Sequence, residues 1–257
     1  MSLADVLLLL AAAVLGGTLN SVAGGGSFIT FPSLVFTGVP PVNANATSTV
    51  ALWPGSVASV AAYREELASQ RGGLVLMVAV SSAGGVLGAV LLLLTPQATF
   101  TTLVPYLLLL ATLLFAFGSR VTVWLRTRRG RASGDPSLGL PAVTLLQFAV
   151  ALYGGYFGGG IGIVMLALFA LLGMSNLNTM NALKTLLASC INGVAVLTFV
   201  VAQAVYWPGA LVMIAGTVLG GYGGAYYARR VNQQLIRWLV IVVGLSMTAY
   251  FFYDAYL

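Results

Sequence analysis

Two stretches decide the fold: Gly24-Gly25-Gly26-Ser27, leading through an apolar run to Gly38 and Asn45-Ala46, and Gly158-Gly159-Gly160, leading through another to Gly173 and Asn181-Ala182-Leu183-Lys184. The offset is 134 residues at the glycines and 136 at the Asn-Ala pairs. A later match sets Ala83-Gly84-Gly85-Val86-Leu87-Gly88 against Ala215-Gly216-Thr217-Val218-Leu219-Gly220. Self-similarity over this length marks a duplicated unit. The chain reads as a single membrane transport domain, with a first repeat over 1–118, an Arg-rich linker over 119–138 and a second repeat over 139–257.

The surroundings of these motifs are membrane-like. The chain is 60% apolar and 6% charged, whereas a soluble domain is about one-quarter charged. Ten apolar segments are expected, at 3–22, 27–38, 45–62, 73–94, 100–118, 139–157, 160–173, 181–203, 207–228 and 236–253. Most approach the ~20 residues a helix needs to cross a bilayer. The second and seventh are short, and each follows a triple glycine. The expected fold is therefore an all-α polytopic bundle of two five-segment repeats.

Five is odd, so consecutive repeats enter the membrane from opposite sides and form an inverted pair. The basic loops at 63–72, 119–138 and 228–237 then share one side, and the loops near 38–44, 95–99 and 203–207 carry no basic residue. The positive-inside rule places the basic loops in the cytoplasm and both termini outside. The net charge of +6 is thus a topology signal, and nucleic-acid binding is not expected. The first apolar run lacks the charged start and cleavage site of a signal peptide, so it reads as a retained segment.

Ten arginines and five acids lie between the apolar runs or at their ends; Lys184, the only lysine, lies inside one. A charge at mid-bilayer costs about 2.5–3.5 kcal/mol on insertion scales and marks function by default. With no histidine and one cysteine, Cys190, metal sites and the common general bases are largely removed. No metal or cofactor is expected. Cys190 reads as a small packing residue.

At helical spacing Asn45, Ser48, Thr49, Leu52 and Ser56 share one face of the third segment. Asn181, Lys184, Thr185, Ala188 and Asn192 share one face of the eighth, and Ser48 and Lys184 are repeat-equivalent. Two such faces meeting near a pseudo-two-fold axis would offer hydroxyl and amide donors with one ammonium, which suits a small oxyanion. Glycine triplets add backbone that tolerates φ > 0 and close approach, and a following helix N-terminus attracts anions. The candidate substrate-binding residues are Lys184, Asn45, Asn181, Ser48, Thr49, Thr185, Asn192, Gly24, Gly25, Gly26, Ser27, Gly158, Gly159 and Gly160. Other uses stay open: helix capping for Asn45 and Asn181, back-bonding for Thr47, Thr49 and Thr185, and support for the pocket by the triplets. Single glycines such as Gly85, Gly88 and Gly220 read as packing residues. Pro54 is expected to kink its segment, and Tyr206, Trp207 and Tyr253 to sit at the interface.

The run Gly17-Thr-Leu-Asn20-Ser-Val-Ala-Gly24-Gly-Gly-Ser27-Phe-Ile-Thr-Phe-Pro32, with Gly38-Val-Pro40-Pro41 and Asn43-Ala-Asn45-Ala-Thr47-Ser48-Thr49, resembles the TauE/SafE sulfite exporter family. So does Gly158-Gly159-Gly160-Ile-Gly162 leading to Asn181-Ala-Leu-Lys184. The resemblance implies a bacterial inner-membrane transporter of small sulfur-containing oxyanions such as sulfite or sulfonates, sulfoacetate among them. The expected partners are that anion and the lipid bilayer. The mechanism expected is alternating access with Lys184 in the site.

No carboxylate or histidine lies mid-span to relay a proton. Proton coupling would have to use the substrate or Lys184, and uniport is the alternative. An anion channel built on the same donors remains open as a rival. An intramembrane enzyme using Lys184 or Cys190 lacks an acid–base partner in any span, and a scaffold would leave the buried lysine without a purpose.

Overall fold

The computed structural model describes residues 1–23, 25–68, 73–129, 140–172, 174, 176–228 and 233–256. Among them there is no strand. Eleven helices follow in order: α1 (Leu3–Ala23), α2 (Ser27–Phe36), α3 (Pro41–Ala62), α4 (Arg64–Ala68), α5 (Leu74–Leu94), α6 (Gln97–Arg129), α7 (Leu140–Tyr156), α8 (Ile161–Leu171), α9 (Leu177–Val201), α10 (Trp207–Ala228) and α11 (Gln233–Tyr256). Five of these are long and apolar enough to cross a bilayer, over Leu3–Asn20, Leu74–Leu94, Gln97–Gly118, Asn178–Val201 and Trp238–Tyr256. The helices α2 and α8 are apolar but only 10 and 11 residues long.

Local chemistry sets several ends. Pro41 at the first position of α3 loses no hydrogen bond, because the first N–H groups of a helix have no partner within it. Asn176 caps α9, its side chain accepting from the backbone N–H groups of Asn178 and Thr179 at 2.9 and 3.3 Å. After α2, Gly38 turns left-handed at φ 81°, and its N–H and that of Val39 return to the carbonyls of Val35 and Leu34.

Glycine and alanine let two helix pairs approach to backbone contact. Along α1 and α10, Gly17 faces Thr217, Ala13 faces Gly216 and Val14 faces Gly220. Along α5 and α7, Gly155 faces Gly85, Ala151 faces Gly84 and Leu152 faces Gly88. Gly216 meets Leu10 and Ala13 while Gly220 meets Val14 and Thr18, and Gly84 meets Phe148 and Ala151 while Gly88 meets Leu152 and Tyr156, so each pair is parallel. The reading of Gly85, Gly88 and Gly220 as packing residues agrees with these contacts. In lipid, such small-residue seams supply the van der Waals contact that the hydrophobic effect does not.

The pairs α3·α9 and α6·α11 are antiparallel. Asn43 reaches Ala204 while Trp53 reaches Ser189, and Tyr106 meets Phe252 and Tyr256 while Thr112 meets Gly244. Phe31 of α2 lies at the centre of the core, with ring centroids 6.5 Å from Phe100, 6.0 Å from Phe157 and 5.9 Å from Phe251. Such ring pairs add about 0.5–1.5 kcal/mol each beyond their buried area. The outer faces stay apolar, with Val75 81% and Val201 83% exposed. That surface is matched to hydrocarbon.

The helix α6 runs on through Arg129, into the Arg-rich linker expected at 119–138. One expectation is corrected. The helices α3 and α9 each begin four residues before the expected 45 and 181, so neither Asn45 nor Asn181 is a cap. Pro40 and Asn176 hold those positions, and the polar first turns had concealed the helical start. Pro54 lies inside α3, within the span Pro41–Ala62. Gly24, Gly173, Arg71, Arg131, Asp135, Arg229 and Arg230 lie outside the described residues.

Candidate functional site

The two glycine triplets are built differently. Gly26 is helical, at φ −59° and ψ −36°, and precedes α2. Its role is close approach: a Cβ there would lie 2.6 Å from the Gly16 carbonyl oxygen and 2.9 Å from Leu52. Gly26 thus uses the close approach that glycine allows, and the second triplet uses its positive φ: Gly158 and Gly160 have φ of 80° and 77°, and Gly160 leads into α8. An L side chain would be strained at either.

Around the first break, Thr30 Oγ1 lies 3.1 Å from the Gly26 carbonyl oxygen and 2.6 Å from Ser48 Oγ. Thr30 and Ser48 are both buried. Ser27 opens α2, and Gly25 packs against Val240 and Phe28. Thr49 donates to the Asn45 carbonyl at 2.9 Å, which is the back-bonding use. Thr47 does the same to Asn43 and also accepts from the Tyr206 N–H.

Around the second break, the Tyr153 hydroxyl donates to the Gly159 carbonyl at 2.7 Å. Asn45 Nδ2 donates to the Tyr156 carbonyl at 3.0 Å. A residue of the first polar face thus holds the end of α7, two residues before Gly158. Asn45 is buried, so that bond spares its amide the cost of an unpaired donor.

Lys184 meets the start of α8. Its stem lies against Gly162, where a Cβ would be 3.1 Å from the Lys184 Cδ atom. Its Nζ donates to Asn181 Oδ1 at 3.2 Å, one turn back on α9. Neither α8 nor α9 contains an acid. The ammonium therefore stands with an amide oxygen and a glycine-led helix N-terminus, whose own partial charge is positive. Two positive features beside one another favour an anion between them. Thr185 and Asn192 are half-buried on the same helix.

The structure thus gathers several of the expected residues, together with Thr30 and Gly162, into two clusters. Gly26, Thr30, Ser48 and Thr49 lie around α2 and α3, while Gly160, Gly162, Asn181 and Lys184 lie around α8 and α9. The Asn45–Tyr156 bond ties the first cluster to the second glycine break. Trp53 crosses between α3 and α9, donating to the Ser189 carbonyl at 3.1 Å. A cavity of about 320 Å³ opens between α5, α7, α8 and α9 and is lined by Leu183 but by none of the expected site residues.

Sequence reasoning missed Thr30, Tyr153 and Gly162. Thr30 stands one turn beyond Gly26, and Gly162 two residues beyond Gly160, so spacing from the triplets was the signal for both. Tyr153 gave none, since its contact depends on how the chain turns after α7. Among the described residues no group of His, Cys, Asp or Glu could hold a metal ion.

Known proteins give the cluster its context. The family model described as sulfite exporter TauE/SafE matches residues 9–251. A probable membrane transporter protein of Haemophilus influenzae is 31% identical over 238 residues, covering 92% of this chain and 90% of the relative. The probable membrane transporter protein ORF9 of a Sinorhizobium species is 30% identical over 255 residues, with 93% and 89% covered. The probable membrane transporter protein YfcA of Escherichia coli K12 is 28% identical over 244 residues, with 95% and 88% covered. No solved structure matches. With apolar helices that can span a bilayer and a family match over nearly its whole length, this chain is a multi-pass membrane transporter, not an enzyme, and belongs to the TauE/SafE sulfite exporter family.

Proposed function

We propose that the protein is a secondary transporter of small sulfur-containing oxyanions, sulfite or sulfonates, working by alternating access across the bacterial inner membrane. One observation carries this reading: Lys184, inside an apolar span, projects its ammonium to Asn181 with its stem on Gly162 at the start of α8. A half-helix N-terminus aimed at a charged group near mid-membrane is a recurring substrate site in transporters with inverted repeats. In the bound state the anion takes hydrogen bonds from Lys184 and the α8 N-terminus, with Thr185 and the Asn45 region at its margin. The family's description as sulfite exporters supports the sulfur oxyanion class.

The fold reading that accompanies it is ten membrane segments in two inverted repeats, α1–α3, α5 and α6 against α7–α11. Its support is a set of matched contacts. Shifts of 138 residues from α1 to α7 and 132 from α10 to α5 turn Gly17–Thr217, Ala13–Gly216 and Val14–Gly220 into Gly155–Gly85, Ala151–Gly84 and Leu152–Gly88. The pairs α3·α9 and α6·α11 each join equivalent helices, and both are antiparallel, as an axis in the membrane plane requires. The basic loops lie in the cytoplasm and the termini outside in this arrangement.

Flux of sulfite and sulfoacetate into proteoliposomes tests the function, with and without an imposed pH gradient. Saturable flux of either anion is expected, and its response to the gradient assigns proton coupling or uniport. Flux that never saturates would favour a channel, and absence of flux for both would overturn the substrate class.

A further inference from the structure

The end of the molecule where α3, α6 and α10 begin is tied by a polar network that the anion site does not use. Gln97, the first residue of α6, accepts from the Val42 N–H through Oε1 and donates to Asn43 Oδ1 through Nε2, both at 3.0 Å. Asn43 Nδ2 in turn donates to the Ala204 carbonyl at 2.9 Å, and one turn further along α3 Thr47 Oγ1 accepts from the Tyr206 N–H at 2.9 Å. These last two bonds join α3 to the turn between α9 and α10, and so join the two repeats. That turn is strained, since Gln203 has φ 54°, a left-handed backbone that few residues other than glycine adopt and that recurs at switch regions.

The opposite end, built from repeat-equivalent residues, is more open. At the offset of 136 between α3 and α9, Val42 corresponds to Asn178, and at the offset of 132 between α5 and α10, Gly73 corresponds to Val205. Val42 and Val205 are 5% and 8% exposed, whereas Asn178 and Gly73 are exposed. Two inverted repeats in one shared conformation would give the members of each pair like surroundings. The difference marks the network end as the closed one, and an exchange of conformations between the repeats would open it. Rocking of one repeat against the other about a fixed site is such an exchange.

We propose that Asn43, Gln97 and the α9–α10 turn form the outer gate of the transporter, sealing the site from the outside in this conformation and parting when that side opens. The inference rests on the alternating-access and inverted-repeat reading above and names the contacts that must break in each cycle. Asn43 is the central piece, because its Oδ1 faces α6 while its Nδ2 faces the turn. No ion pair takes part in these bonds, so water replaces each of them on opening. At about fivefold per net hydrogen bond, the three side-chain bonds of Asn43 and Gln97 favour the closed form by up to about a hundredfold, a bias that a ligand with differential affinity for the two states reverses.

Thiol labelling in a Cys190→Ala background tests the gate. Val50→Cys reports on the outside: Val50 lies two turns below Asn43 on the same face of α3 and is 6% exposed. Asn178→Cys reports on the inside, since Asn178 takes the buried surroundings of Val42 when the ends exchange. Asn43→Ala combined with Gln97→Ala should raise labelling of Val50→Cys by an impermeant reagent added outside about tenfold or more, and should lower labelling of Asn178→Cys from the inside at least about twofold. Local loosening would raise the first and leave the second unchanged; that result, or no change at either thiol, would overturn the proposal. In a second arm, Asn43→Cys with Ala204→Cys is bridged by a short bis-methanethiosulfonate. The bridged protein should lose nearly all of its own sulfite flux and regain it on reduction, while each single thiol treated alike keeps the flux it had. Flux persisting in the bridged protein would overturn the proposal as well. Labelling needs no transported anion, so a wild type without sulfite flux would strike the substrate class and leave the first arm to decide the gate.

Discussion

Trp53 Nε1 donates to the Ser189 carbonyl oxygen at 3.1 Å, and the two residues are 136 apart, the same offset that relates Asn45 to Asn181. Residues related by a two-fold axis touch each other only near that axis. The bond therefore locates the proposed crossing of the two repeats, midway along α3 and α9. Gly193 gives the indole its room, since a Cβ there would lie 3.2 Å from the ring.

Loss of that crossing should be costly. Trp53→Phe keeps a ring but removes the donor, and about 1 kcal/mol of stability should go with it. Trp53→Ala should cost about 3–5 kcal/mol through the space it leaves. Denaturation midpoints in detergent for both variants check the order, and a harmless Trp53→Ala would remove Trp53 from the core contact.

The small-residue seams predict a sharp contrast among glycines. Gly17→Ala and Gly155→Ala place a Cβ on the backbone of Thr217 and Gly85, so both should prevent accumulation of folded protein. At Gly55 and Gly221 a Cβ meets nothing within 4 Å inside a helix, so alanine there should be neutral or stabilise by about 0.5–1 kcal/mol. Expression and melting of the four variants side by side provide the comparison. Equal behaviour would show that the seams are looser than described.

Much of this was legible in the sequence, for physical reasons. Apolar runs of spanning length and paired glycine breaks constrain backbone in ways that composition and spacing record. The starts of α3 and α9 were not legible, because the polar residues before Asn45 and Asn181 read as loop while the helices in fact begin at Pro41 and, after the Asn176 cap, at Leu177. The different backbones of the two triplets were also hidden, since Gly-Gly-Gly permits both Gly26 in helical and Gly160 in left-handed form. Lys184 stood out as a lone charge, but its seat on Gly162 is a contact between helices and leaves no mark in either helix alone.

Asn45 supports a prediction that separates positioning from binding. Its amide holds the α7 end through the Tyr156 carbonyl, so Asn45→Asp replaces a donor with an acceptor facing an acceptor. That variant should melt lower than Asn45→Ala, with each losing at least the 1–3 kcal/mol of an unpaired buried group. An Asn45→Asp protein as stable as the wild type would place the residue outside this contact.

The left-handed glycines supply a related test on the second break. Gly160→Ala forces an L residue into φ 77°, and about 1–2 kcal/mol of strain is expected. Because Gly160 orients the start of α8, anion affinity should fall as well. A raised half-saturation for sulfite with intact maximal flux is the expected pattern, read from concentration-dependent uptake.

The central claim is that the Lys184 ammonium, placed at the α8 N-terminus, holds the transported oxyanion. The most direct measurement is saturable sulfite flux into proteoliposomes by wild type beside Lys184→Met, which keeps a long apolar stem over Gly162 without the charge, each matched for folded protein by its melting curve. The account predicts saturable flux for the wild type and its loss in the variant at unchanged melting. Equal flux in the two proteins would contradict it.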